Sequence, residues 1–260
     1  MISDMTECTV CEGTLAVCAL EPAKKKMLQQ PPFAPYWGPP ATSPDWCEQN
    51  NTVSPYIAEF WNFATSIPIF ALAFYGFVFG LRQRYETRVL APLLLMSIVG
   101  LGSCAFHGTL QLWGQALDEL SMIWAAASLL YAVLEPSPTL LRPWLGPALA
   151  TYCSAFSVAY FYLPEYFVWF LISYIVLVLS LFFGALRSYG AVRNASVRLM
   201  LVVSALFYVG GFALLWLPDK LMCSRVQPYQ FHALFHLTST VGPWYLIQHG
   251  AWGGGFDYFF

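Results

Sequence analysis

From Tyr56 onward the chain is a succession of apolar runs separated by short polar breaks. The runs fall at roughly 57–81, 89–108, 117–134, 144–162, 166–186, 197–217 and 231–248. Each is close to the ~20 residues a helix needs to cross a bilayer. The breaks are Arg82–Arg88, a Gly/Gln stretch after His107, Glu135–Pro143, Leu163–Glu165, Arg187–Arg193 and Pro218–Pro228. This pattern predicts an all-α membrane protein with seven transmembrane helices.

Composition supports that solvent. Hydrophobic residues make up 58% of the 260-residue chain and charged residues 10%, against roughly 25% charged in soluble domains. With a mean hydropathy of +0.57, no water-soluble core absorbs so much apolar side chain. The net charge of −2 gives no sign of a nucleic-acid partner. Residues 1–35 are rich in acids, proline and a Lys24–Lys26 run, and are expected to be largely disordered. Asp4, Glu7 and Glu12 interrupt any secretory signal, so the first span is expected to serve as its own insertion signal. A lumenal segment over 36–55, a seven-helix domain over 56–250 and a short cytosolic tail over 251–260 complete the expected organisation.

Loop charges set the orientation. Arg82, Arg84, Arg88, Arg142, Arg187, Arg193 and Arg198 share one side, with only Lys220 and Arg225 in loops on the other. The positive-inside rule makes the arginine side cytosolic, which places the N-terminus in a lumen and the C-terminus in the cytosol.

Ionisable groups inside a membrane are costly and need an account. Of four histidines, His232 and His236 are four apart and share a helix face. His107 closes the second span, and the derived topology brings all three to one membrane depth. Three imidazoles with a position left open suit a catalytic zinc; an isolated HxxxH pair also suits plain packing. His249 lies past the last span on the cytosolic side and receives no role.

Asp118 and Glu119 open the third span at that same depth. One of them can take and return a proton of attacking water, or both can simply favour a helix N-terminus. Ser103, one turn before His107, can hydrogen-bond the reacting groups or its own backbone.

Asp45, Glu48, Asn50 and the nearby Glu59 offer oxygens suited to calcium, while Asp45 and Glu48 also have capping-box spacing. Because these residues precede and enter the first span rather than surround the histidines, calcium is expected to tune the chemistry from a separate site. Cys47 and Cys223 both fall in lumenal segments, where an oxidising compartment permits a disulfide. Cys104 and Cys153 read as small core residues, and the group Cys8, Cys11 and Cys18 has no assigned role.

Together these residues resemble the alkaline ceramidase family from about Tyr36 to about Ile247. The marks are Tyr36-Trp37-Gly38, Asp45-Trp46-Cys47-Glu48 with Asn50, and Tyr56-Ile57-Ala58-Glu59-Phe60-Trp61-Asn62. Gly102-Ser103, Phe106-His107, Leu117-Asp118-Glu119-Leu120 and Phe231-His232-Ala233 with His236 follow in family order. The resemblance implies a seven-helix fold related to adiponectin receptors, enclosing an intramembrane zinc site in the endoplasmic reticulum or Golgi. It implies cleavage of ceramide to a sphingoid base and a fatty acid. It implies zinc on His107, His232 and His236, with Ser103 and Asp118 at the reaction centre. It further implies calcium on Asp45, Glu48, Asn50, Glu59 and the backbone of Trp46, and a Cys47–Cys223 disulfide. Leu234 and Phe235 depart from an expected aromatic, often tryptophan, pattern, and Pro218 interrupts the Trp216–Asp219 stretch.

The alternative is a seven-helix receptor of the adiponectin-receptor kind with weak hydrolase activity; the acidic segment before the first span favours the ceramidase. A retinal protein is excluded because Lys24, Lys25, Lys26 and Lys220 all lie outside the spans. A transporter fits less well, because the acids gather at one end rather than at the midplane.

Overall fold

The structure of the chain, a computed structural model, describes residues 32–135, 142–191 and 194–253, with the backbone alone at 188, 191 and 248–253. The expected disordered arm up to residue 31, with Cys8, Cys11, Cys18 and the lysine run, lies outside the described residues. So do the end of the tail and the His249 side chain.

The described residues form helices and no strand. α1 spans Phe60–Arg82, α2 Thr87–Thr109, α3 Leu112–Leu134, α4 Leu145–Tyr160, α5 Tyr166–Ala191 and α6 Ala195–Gly211. A π-turn over Phe212–Trp216 carries α6 into α7, Leu217–Leu221; α8, Cys223–Val226, and a 3₁₀ turn over Gln227–Tyr229 lead to α9, Phe231–Gly253. Five helical stretches are long and apolar enough to cross a membrane: α1, α2, α3, α5 through Arg187, and the continuous Ala195–Leu221.

Two predicted boundaries are corrected. α3 begins at Leu112, so Asp118 and Glu119 lie in its second turn rather than opening it. Leu110 in the left-handed region, φ 50°, reverses the chain within two residues, and its N–H donates to the Phe106 carbonyl at 2.7 Å. Gly114 seats that start on α2, because any Cβ there would lie 2.9 Å from the Ala105 carbonyl. The sixth run is also longer than predicted. The Pro218 ring has no N–H and crowds the carbonyl four residues back, and the π-turn just before it takes up the mismatch without ending the helix. The other reading of the capping-box spacing at Asp45 and Glu48, a helix start, is not what the structure has there. The Glu48 carboxylate instead accepts from the N–H groups of Trp61 at 2.7 Å and Asn62 at 2.9 Å, capping the first turn of α1, where N–H groups have no helical partner.

Polarity runs opposite to that of a soluble protein. Leu206, Leu214, Val158 and Phe183 are exposed, while Glu59, Asn62, Ser66, His107, Gln115 and Glu119 are buried. Lipid-facing surface need only be apolar, and polar groups must find partners inside. α2 packs along α1 and α3, and α9 along α6 and α1. At Gly102 the approach of α2 to α3 is backbone to backbone: a Cβ would meet Asp118 N at 2.7 Å and Asp118 Cα at 2.8 Å. Small residues permit such crossings, and this one sets Ser103 beside the Asp118 turn. Between α2, α3, α5, α6 and α9 lies a cavity of about 340 Å³.

Candidate metal centre

His107, near the end of α2, and His232 and His236, in the first two turns of α9, converge at one end of this cavity. All three are buried, and one ring nitrogen from each lies within 4.8 Å of the others. No other group of His, Cys, Asp or Glu side chains is so gathered among the described residues. The rings are not stacked on one another. Their centroids are 5.3 Å apart for His107–His232, 5.0 Å for His107–His236 and 4.7 Å for His232–His236, with interplanar angles of 56–71°.

Two of the rings are oriented by hydrogen bonds on Nδ1. The His107 Nδ1–H donates to Glu59 Oε2 at 2.6 Å. The His236 Nδ1–H faces Thr65 Oγ1 at 3.1 Å, the Asn62 carbonyl at 3.2 Å and Ser66 Oγ at 3.4 Å. A proton on Nδ1 leaves the Nε2 lone pair free, the arrangement by which metal-binding histidines are held. His232 differs. Its backbone N–H donates to Asp219 Oδ1 at 3.2 Å, its ring stacks on Trp46, and its Nδ1 is buried without a hydrogen-bond partner. Three convergent neutral imidazoles with a buried unpartnered nitrogen fit a metal ion.

Asp118 and Glu119 both border the cavity, but their hydrogen bonding separates them. Glu119 Oε1 accepts from Gln115 Nε2 at 2.7 Å and its Oε2 from the Tyr160 hydroxyl at 2.8 Å. Asp118 Oδ1 is buried with no partner. Ser103, 2% exposed, lies on the same wall, its Oγ 2.8 Å from Ser66 Oγ.

The segment before α1 is tied to the histidines rather than separate from them, contrary to expectation. The Ala58 and Glu59 N–H groups donate to the carbonyls of Gly108 at 3.0 Å and His107 at 2.9 Å, and the Glu59 side chain holds the His107 ring. Asp45 is exposed, Trp46 and Glu48 are buried, and the half-buried Asn50 has an Oδ1 without a partner. That oxygen and the Glu48 carboxylate are donors of the kind a hard cation takes. Burial pushes the Glu48 carboxyl up to about 7 despite its two backbone N–H donors, with Glu59 and Asp219 adding like charge. Cys47 and Cys223 form a disulfide with Cα atoms 5.2 Å apart; Cys153 is a buried core residue and Cys104 a half-buried one.

Sequence reasoning passed over Asp219, Thr65 and Ser66. Asp219 sits in a stretch read as loop because of Pro218. Ser66 carried a signal: Glu59, Asn62 and Ser66 form an i, i+3, i+7 polar stripe on an otherwise apolar helix.

Residues 38–253 match the ceramidase family profile. The chain is 32% identical over 223 residues to "Alkaline ceramidase 3" of Mus musculus, covering 80% of this chain and 82% of that one. It is 30% identical over 207 residues to "Alkaline ceramidase" of Arabidopsis thaliana, covering 78% and 80%. A Saccharomyces cerevisiae alkaline ceramidase is 42% identical over a shorter stretch of 89 residues, 34% of this chain and 28% of that one. Matches of this extent show the family: the chain is a ceramidase hydrolase and a member of the alkaline ceramidase family.

Proposed function

We propose that the protein hydrolyses the amide bond of ceramide, releasing a sphingoid base and a free fatty acid, with zinc on His107, His232 and His236. The observation that carries this reading is the convergence of the three buried imidazoles at the end of an apolar cavity of about 340 Å³, a size suited to a small lipid group. The receptor alternative is not favoured, since the relatives are ceramidases.

Zinc held there would supply Lewis acidity to the carbonyl and to water. The remaining work falls to the chain. Asp118 Oδ1, the unpartnered carboxylate oxygen on the cavity wall, accepts a proton from the attacking water and returns it to the departing nitrogen. Hydroxide adds to the acyl carbon, the nitrogen takes the returned proton, and the C–N bond then breaks to release a neutral amine and the fatty acid. Ser103 exchanges its Ser66 partner for the carbonyl oxygen as charge develops there. The cavity beyond, bordered by Phe170, Tyr174, Phe182 and Leu201, takes hydrocarbon.

In this reading α4 and α9 join the five long apolar helices as membrane spans. The N-terminus is lumenal and the C-terminus cytosolic, in endoplasmic reticulum or Golgi. Calcium sits on Asp45, Glu48, Asn50, Glu59 and the Trp46 backbone. The direct test is release of sphingoid base from a ceramide panel by purified protein, before and after zinc removal. Turnover that persists after complete zinc removal refutes the metal assignment.

A further inference from the structure

His232 is the one histidine of the three whose Nδ1 has no hydrogen bond, so a different contact must fix its ring. That contact is Trp46, whose ring lies 3.7 Å from the imidazole centroid to centroid, at 19° between planes. Trp46 is itself 5% exposed, boxed edge-on by Trp216 at 6.0 Å and Phe167 at 6.4 Å. Lys220 Nζ stands 5.0 Å from the Trp46 ring and 5.3 Å from that of Phe167, within cation–π range.

The backbones beneath the stacked rings are fastened by one side chain. Asp219, 2% exposed, accepts the His232 N–H on Oδ1 at 3.2 Å and the Cys47 N–H on Oδ2 at 3.3 Å. One carboxylate therefore fixes the spacing between residue 232 and the residue next to Trp46. The Cys47–Cys223 disulfide joins the segment of Trp46 covalently to α8, which precedes α9.

We propose that Trp46, backed by Lys220 and registered by Asp219, is the positioning residue of His232, doing by ring stacking what Glu59 does for His107 by hydrogen bonding. The inference rests on the metal reading above. It makes the segment before α1 a structural part of the metal centre: whatever moves Trp46 moves one of the three imidazoles. It also makes His232 the most sensitive of the three to changes in that segment. A stacked ring resists tilt but not sliding, whereas a hydrogen bond fixes direction at the nitrogen.

The test is zinc affinity of the purified full-length protein, read by competition with a chromophoric chelator at saturating calcium. Wild type, Trp46→Leu, Trp46→Phe, Lys220→Met and His236→Ala are compared, with helix content followed by circular dichroism. Loss of a supporting contact to a metal ligand typically costs 10–100-fold in affinity. Trp46→Leu is expected to lose zinc affinity in that range, and Trp46→Phe, which keeps a flat ring, to restore most of it. Lys220→Met, which leaves the stack in place, is expected to lose about two- to fivefold. Wild-type affinity in Trp46→Leu, with His236→Ala unable to bind, overturns the positioning role and leaves the metal site standing. Equal affinity in wild type and His236→Ala refutes the metal reading itself. Equal losses in Trp46→Leu and Trp46→Phe, with helix content unchanged, also overturn the proposal, because the flat ring is then not what matters.

Discussion

Glu59 Oε2 lies 2.6 Å from His107 Nδ1, with both side chains 1% exposed. In a chain whose calcium segment was expected to stand apart from the histidines, this pair joins the two. Glu59→Gln keeps an acceptor oxygen but removes the anion, and should lower zinc affinity about 10–100-fold. Chelating calcium from the wild-type protein should loosen zinc as well, where a remote calcium site would leave it untouched. Zinc content after dialysis against a calcium-selective chelator measures this; undiminished zinc would return the two sites to independence.

The two acids of α3 should separate cleanly. Asp118→Asn preserves shape but cannot shuttle a proton, and should cost 10²–10⁴-fold in kcat with zinc content unchanged. Glu119→Gln cannot accept from both Gln115 and Tyr160, so a buried donor is left unpaired at about 1–3 kcal/mol. Its signature is a lower thermal midpoint with kcat reduced less than about tenfold. If kcat falls in the reverse order, Glu119 carries the proton.

The bilayer made the fold legible. Its thickness imposes run lengths and its apolarity isolates the few ionisable groups, so the five long apolar helices and the helical spacing of His232 and His236 could be read along the chain. The start of α3 could not, because Gln111–Ala116 looks like a polar loop until Gly114 is seen pressed on α2. Asp219 was hidden behind Pro218, whose usual helix-breaking effect the π-turn absorbs. The Trp46–His232 stack joins residues with no local pattern in common, and nothing along the chain shows that Glu59 Oε2 also holds His107. Contacts between distant segments leave no periodicity to detect.

Glu48 gives a pH signature. Its carboxyl in the folded chain is pushed up to about 7 from an ordinary 4.5. Without calcium, the folded protein therefore holds a proton that the unfolded chain has released between those values. Stability from this group is fully present below pH 4.5, falls as pH rises towards 7, and is flat above. The total change is roughly 3 kcal/mol. Calcium needs the ionised form, so its affinity should weaken as pH drops below about 7, with one proton displaced per ion. Calcium titrations between pH 6 and 8 on wild type and Glu48→Gln check this. The variant should bind weakly with little pH dependence, and equal slopes would assign the proton to another group.

The Gly102 crossing ties packing to chemistry. A Cβ at 102 would lie 2.7 Å from Asp118 N and 2.8 Å from Asp118 Cα, and backbone atoms cannot rotate away as a flexible side chain does. Gly102→Ala must therefore push α2 and α3 apart or shift the Asp118 turn. Overpacking of this kind costs about 1–3 kcal/mol, which a bundle can survive. His107 lies more than one helical turn further along α2 and is held by Glu59, which precedes α1, so the histidine cluster should keep its zinc. Asp118 has no partner on Oδ1 to hold it against the displacement. A misplacement of about 1 Å at a reacting group can cost 10²-fold in rate, so the expected outcome is full zinc content with kcat reduced to that degree. A Gly102→Ala protein that loses zinc but turns over normally when zinc is restored would show that the crossing serves the histidines, not Asp118.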